Sequence, residues 1–172
     1  MKDEVIRFKH VRFEEQEVSR ERVIEFPDGV PGFEQFKSFA VFSNPESEPF
    51  QWLLSIENEQ LGFVVINPLM IWAEYDPRIS REDLKSLEVD DPEDVVIYTI
   101  VTLTDDPMGV TANLSGPILL NSANMKARQL ALLDDRYTTK HKILDTLQVY
   151  RIQGSRCGAR INKEVRREYC NW

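Results

Sequence analysis

Leu61-Gly62-Phe63-Val64-Val65-Ile66-Asn67-Pro68 and Val95-Val96-Ile97-Tyr98-Thr99-Ile100-Val101 decide the fold class of this 172-residue chain. Both are nearly continuous apolar runs of strand length, rich in β-branched residues, which predicts central strands covered on both faces. Asn67-Pro68 ends the first run sharply, because proline has no N–H for a ladder and pushes its predecessor into extended backbone. Outward from these two runs, short apolar segments bounded by Pro, Gly, Asn and Asp predict further strands. They fall over Val5–Phe13, Arg22–Phe26, Phe39–Ser43, Gln51–Ile56, Gly109–Leu114, Pro117–Asn121 and Lys126–Leu133. In the first of these, Ile6 and Phe8 share one parity while Val11 and Phe13 share the other, so a bulge is expected between them. Many short strands and little helix predict an all-β barrel or sandwich.

Helix signals are sparse. Ser80 with Asp83 three residues on reads as a capping box, Leu84 and Leu87 supply an apolar stripe, and Asp91-Pro92 closes the segment. Ile143, Leu147 and Tyr150 repeat at i, i+4, i+7, which favours a helix over Lys142–Arg151, with a last strand as the alternative. Beyond a Gly154-Ser155…Gly158 hinge, Ile161, Val165 and Tyr169 fall at i, i+4, i+8, the spacing of a short amphipathic helix.

The net charge of −8 is unevenly spread. Residues 151–172 hold six basic and two acidic side chains, which leaves −12 on the first 150. Such a body repels phosphate backbones and attracts basic protein partners. No run approaches the roughly 20 apolar residues of a membrane-spanning helix. The polar opening Met1-Lys2-Asp3-Glu4 lacks the apolar core of a secretory signal, so a cytoplasmic location is expected, with Cys157 and Cys170 reduced.

Catalytic patterns are missing. His10 and His141 lie in charged surroundings, and the two cysteines, with twelve residues between them, form no metal-binding spacing. Gly154-Ser155-Arg156-Cys157-Gly158 is not a nucleophile elbow, and neither glycine-rich phosphate loop is present. Asp90-Asp91, Asp105-Asp106 and Asp134-Asp135 read as turn residues that accept local backbone hydrogen bonds. The expectation is a protein that is not an enzyme and holds no cofactor or metal.

The loops carry more. Phe26-Pro27-Asp28-Gly29-Val30-Pro31-Gly32-Phe33 contains two proline turns with glycines, so it is pre-formed. Phe33 either plugs the barrel mouth or serves as a low-entropy anchor for a partner. Trp72, Tyr75 and Asp76 follow Asn67-Pro68 in an aromatic, acidic loop that suits an Arg-rich partner as well as it suits packing.

Taken in order, these loops resemble the flagellar assembly factor FliW family. The resemblance is carried by the 26–33 loop, Pro49-Phe50, Phe63-Val64-Val65-Ile66-Asn67-Pro68, Tyr75, Thr111-Ala112-Asn113-Leu114-Ser115-Gly116-Pro117-Ile118, Gln129 and Tyr137, and it covers roughly residues 20–141. It implies a mainly β fold: a small β-barrel-like domain of short antiparallel strands over residues 1–150, with one short internal helix. Residues 151–172 then form a basic C-terminal extension, with helical character, that the family core does not explain. The resemblance further implies two protein partners: CsrA, a basic RNA-binding translational repressor of flagellin mRNA, and flagellin itself. Family members exchange between the two, and their inhibition of CsrA is allosteric. The residues expected to carry partner binding are Phe33 and Glu34 in the first loop, Asn67 as the loop-setting residue, and Glu74, Tyr75, Asp76, Asp105 and Asp106 as an acidic and aromatic contact surface. The alternatives are a predominantly flagellin-specific chaperone and a small ligand-binding barrel.

Overall fold

A computed structural model describes residues 4–144, within which the chain forms eleven strands and one α-helix. In chain order these are β1 (Val5–His10), β2 (Glu14–Ser19), β3 (Ile24–Glu25), β4 (Ser38–Ser43), β5 (Gln51–Ser55), β6 (Gly62–Ile66), α1 (Arg81–Ser86), β7 (Val95–Thr102), β8 (Thr111–Ala112), β9 (Ile118–Asn121), β10 (Lys126–Gln129) and β11 (His141–Lys142). β7 closes the sheet because its length lets it serve several neighbours. On one side it pairs with β6, Val64 opposite Val101; on the other its first half pairs with β9, Val96 opposite Leu120, and its last residues pair with β8. The circuit β7-β6-β5-β4-β3-β10-β9-β7 is a closed barrel of seven strands, antiparallel except where β10 meets β3. β8 and β11 extend from the far half of β7.

Alternation sorts the side chains onto two faces. Ile24, Phe39, Leu53, Val65, Ile118, Leu120 and Ala127 belong to one cluster with Val96, Tyr98 and Ile100, so every barrel strand contributes and this cluster is the lumen. Phe26 and Phe39 are fully buried there and meet edge-to-face at 5.2 Å. The outer face is covered as well. Phe8 and Val18 of the β1–β2 hairpin join Ala40, Trp52, Leu54 and Val64, together with Ile71, Tyr75, Leu114, Tyr137 and Ile143 from the loops. Both long apolar runs are therefore covered on two sides, as their composition predicts.

α1 forms where the capping box places it: the Asp83 N–H donates to Ser80 Oγ, and the Asp83 carboxylate accepts from the Ser80 backbone. It ends before Asp91-Pro92. Glu88 takes a left-handed conformation (φ 54°), with Glu88 N–H on Lys85 O and Val89 N–H on Leu84 O, a Schellman closure without glycine. Asn121 Nδ2 and Asn124 Nδ2 both donate to Leu87 O and fasten the helix end to β9.

Several expected boundaries shift. The first strand stops at His10, and the change of parity is a hairpin loop rather than a bulge. Phe13 N–H closes on His10 O, Glu14 adopts φ 57°, and Glu14–Ser19 returns as β2. That is a three-residue hairpin loop with its left-handed residue at the re-entry point. Arg22–Phe26 contributes only the two residues of β3, because Arg20–Arg22 is a 3-10 turn. Lys126–Leu133 is a strand only as far as Gln129; beyond it Leu130 and Leu132 donate to Pro117 O and Ser115 O as an outer strap. Gly109–Leu114 reduces to β8 because Pro107–Gly109 is a 3-10 turn. Lys142, the first residue of the helix expected over Lys142–Arg151, belongs to β11 instead, where His141 pairs with Ala112. The rest of that segment from residue 145, and the amphipathic helix expected after Gly154, lie outside the described residues.

Candidate functional site

The loop between β3 and β4 is set by two glycines. Gly29 (φ +75°) packs so closely that a Cβ would lie 2.5 Å from the Glu34 Cα, so no other residue fits. Gly32 (φ +88°) gives its N–H to Glu34 Oε1 at 2.9 Å, and that bond lowers the Glu34 pKa. Phe33 N–H closes on Val30 O, and the Phe33 ring meets Phe63 edge-to-face at 5.5 Å. Phe33 thus leans on a lumen residue at the barrel mouth while remaining 38% exposed. The ring is therefore packed on one side and half-presented on the other.

Asn67 caps the turn that follows β6: its Oδ1 accepts the Leu69 N–H at 3.0 Å. That turn points two apolar side chains outward, Leu69 (48% exposed) and Met70 (39%). Glu74 and Asp76 are exposed beyond it. Tyr75 lies between them and turns inward. Its hydroxyl donates to Leu114 O at 2.7 Å, its ring lies 4.6 Å from that of Tyr137, and burial raises its pKa, so it stays a donor. The Asp76 N–H donates to the Tyr137 hydroxyl at 2.9 Å. Arg136 completes this corner. It pairs with Asp134 at 2.7 Å, donates to Asp76 O, and stacks over the Tyr137 ring. The Arg136 bonds hold the Asp134 carboxyl down at about 2.

Asp105 and Asp106 occupy the turn between β7 and β8. Asp106 Oδ1 accepts the Met108 N–H, and both carboxylates are on exposed residues beside an exposed Met108. The register places these residues in two groups. The β5–β6 turn contacts the first loop, because Lys37 and Ser38 N–H both donate to Glu57, and β7 runs antiparallel to β6 so that its end returns to that side. Phe33, Glu34, Asp105 and Asp106 therefore lie toward the Gly62 end of β6. Asn67, Glu74, Tyr75 and Asp76 lie toward its Ile66 end, about 13 Å away at roughly 3.3 Å per residue. The structure does not gather the eight residues into one patch.

Sequence reasoning passed over Leu69, Met70 and Arg136. The apolar pair was legible as the continuation of Pro68, whereas Asp134-Asp135-Arg136 carried only a turn signal. Arg78, Leu132, Leu133, Asp134, Asp135 and Arg136 also line an open concavity of about 460 Å³. Of its charged residues, Asp134 and Arg136 are paired with each other. Among the described residues no three His, Cys, Asp or Glu side chains are placed to hold a metal ion, and no helix is long and apolar enough to cross a membrane.

Comparison with known proteins is consistent along the chain. The profile of the family described as FliW protein matches residues 7–143. A flagellar assembly factor FliW from Alkaliphilus metalliredigens is 39% identical over 145 residues, covering 84% of this chain and 88% of that protein. One from Ruminiclostridium cellulolyticum is 38% identical over 141 residues, covering 81% and 95%. A crystal structure of the flagellar assembly factor FliW superposes with a TM-score of 0.73 at 30% identity, over 80% of this chain and 96% of that one.

Proposed function

Because the chain belongs to the FliW family of flagellar assembly factors, we propose that it acts by binding proteins in turn and not by catalysis. In this reading it works in the cytoplasm and binds the translational regulator CsrA, relieving repression of flagellin mRNA allosterically. It also binds flagellin, and flagellin export frees it for CsrA. The observation that carries the reading is Phe33 beside Glu34: an aromatic ring held half-exposed on a loop that cannot relax, next to a carboxylate kept ionised. A ring already fixed loses little entropy when a partner covers it. The −12 carried by the first 150 residues supports a basic partner and disfavours direct contact with nucleic acid.

A second reading, predominant chaperoning of flagellin, draws support from Leu69 and Met70. Exposed apolar side chains on a capped turn suit an amphipathic helical segment. Salt separates the two readings: the CsrA contact is expected to weaken steeply with ionic strength, and an apolar contact much less.

The test is titration of a CsrA–RNA complex with the purified protein, with and without flagellin. RNA release on addition of the protein, reversed by flagellin, is the expected result. Absence of any complex with CsrA at low ionic strength overturns the first reading.

A further inference from the structure

His10 is the last residue of β1 and the most enclosed ionisable group of the hairpin, 1% exposed. Its Nδ1 accepts the Arg12 backbone N–H at 3.2 Å, so the ring proton sits on Nε2. Nε2 is buried without a partner and rests against Gly62 of β6, 3.1 Å from where a Cβ would stand. Phe13 packs on the ring at 5.6 Å, and Arg12 extends over Trp52. His10 is thus wedged between the hairpin and the outer barrel wall, in a place only glycine on β6 leaves open.

We propose that the β1–β2 hairpin is an acid-released cover, with His10 as its latch, over the apolar wall formed by Trp52, Leu54 and Val64. Protonation needs a hydrogen on Nδ1, where the Arg12 N–H already points, so two donors would face each other and the loop bond would be lost. It also places a buried cation near the Arg12 guanidinium. The charged residues around His10 come from three places: Arg12 in the loop, Glu14 opposite on β2, and Glu59 on the β5–β6 turn, whose carbonyl accepts the Val11 N–H. Gly62 and Leu54 bring no charge. Burial first, and Arg12 second, lower the His10 pKa, in keeping with this geometry. An open hairpin returns His10 to its ordinary value near 6.5. The open state therefore binds the proton more readily, and the closed state is fully favoured only above that value. Below it, closure weakens by up to about tenfold per pH unit until the closed-state value is reached. Opening moves Phe8 and Val18 off the wall, while the barrel's own ladder is untouched.

The experiment is amide hydrogen exchange of the full chain between pH 7.5 and 5, corrected for intrinsic rates, comparing hairpin amides with those of Leu53 and Val65. Loss of hairpin protection on acidification, with barrel protection unchanged, is expected. In His10→Asn, whose side-chain oxygen can still accept the Arg12 N–H but cannot be protonated, the pH dependence is expected to disappear. His141, the other histidine with a buried unpartnered Nε2, is the control, and His141→Asn is expected to keep it. Should His10→Asn fail to fold, the imidazole resonances of the unmodified protein serve: His10 must titrate below 6.5 together with the hairpin amides. Hairpin and barrel amides losing protection in step, pH dependence surviving in His10→Asn, or a His10 titration at or above 6.5 would each overturn the proposal.

Discussion

The Tyr75 hydroxyl donates to the Leu114 carbonyl at 2.7 Å across 39 residues of sequence, tying the aromatic loop after β6 to the segment that follows β8. The bond is buried, and the raised Tyr75 pKa keeps the proton in place. Tyr75→Phe keeps the ring and leaves a buried acceptor short of its donor, which costs about 1–2 kcal/mol. Urea unfolding at neutral pH measures this. Binding of a partner at exposed Glu74 and Asp76 is expected to be unchanged by the same substitution, because the ring does not face outward.

Phe26 and Phe33 lie seven residues apart on one loop and separate stability from recognition. Phe26 is fully buried in the lumen cluster, so Phe26→Ala costs about 3–5 kcal/mol. Phe33→Ala removes a half-exposed ring whose main contact is Phe63, and costs about 1 kcal/mol. If Phe33 anchors a partner, the second substitution lowers affinity by at least tenfold with the barrel intact. Thermal melts paired with binding isotherms distinguish the two effects.

Glu14 holds φ 57° at the hairpin re-entry, a conformation that costs a non-glycine residue roughly 1–2 kcal/mol. Glycine removes that cost and returns part of the gain through the unfolded chain. Glu14→Gly is therefore expected to stabilise the protein by about 0.5–1 kcal/mol. Denaturant midpoints at pH 7.5, where His10 is neutral, give the measurement.

Much of the barrel is legible because burial on two faces leaves little choice of residue. The run Val95–Thr102 is one strand from end to end, and Ser80 with Asp83 starts the helix where the capping box predicts. β2 is silent for the opposite reason. Of Glu14-Glu15-Gln16-Glu17-Val18-Ser19 only Val18 is buried, so no alternation marks a strand that lies on the outside of the barrel. β11 is silent because two residues cannot display a period, and Ile143 fits a helical stripe equally well. The candidate site was legible residue by residue but not as a whole. Phe33, Asn67 and the acids announce themselves through turn chemistry. Their division between the two ends of β6 follows from strand register, which no local motif encodes. Tyr75 read as a contact residue because sequence shows an aromatic among acids and does not show the carbonyl of Leu114.

Asp134 gives the acid side of the stability curve a specific origin. Arg136 contacts hold its carboxyl at about 2, below the ordinary carboxylate value, so the folded state favours the ionised form. The contribution is complete above roughly pH 4 and is lost as pH falls toward 2. Asp134→Asn should flatten the pH dependence of unfolding between 4 and 2 and leave its slope above pH 5 unaltered. Acid titration followed by circular dichroism reads the difference. A second observable follows from the same pair: freed from Asp134, Arg136 loses the anchor that holds it near Asp76 O, so the turn at Asp76 is expected to gain exchange at its amide.

Residues 154–172 carry five basic and two acidic side chains on a chain whose remainder is strongly negative. Whatever a basic partner gains from the acidic body, a basic tail joined to that body competes for, since tethering keeps its local concentration high. Removing residues 154–172 also makes the net charge three units more negative. Both effects act in one direction, and deletion is expected to tighten CsrA binding at 50 mM salt by about three- to tenfold, chiefly through faster association. Near 0.5 M salt the two forms should bind alike if the proposed CsrA contact is electrostatic, because the Debye length then falls to about 4 Å. Association rates measured at both salt concentrations decide the matter: equal or slower association of the shortened protein at low salt removes the tail from the regulation of this surface.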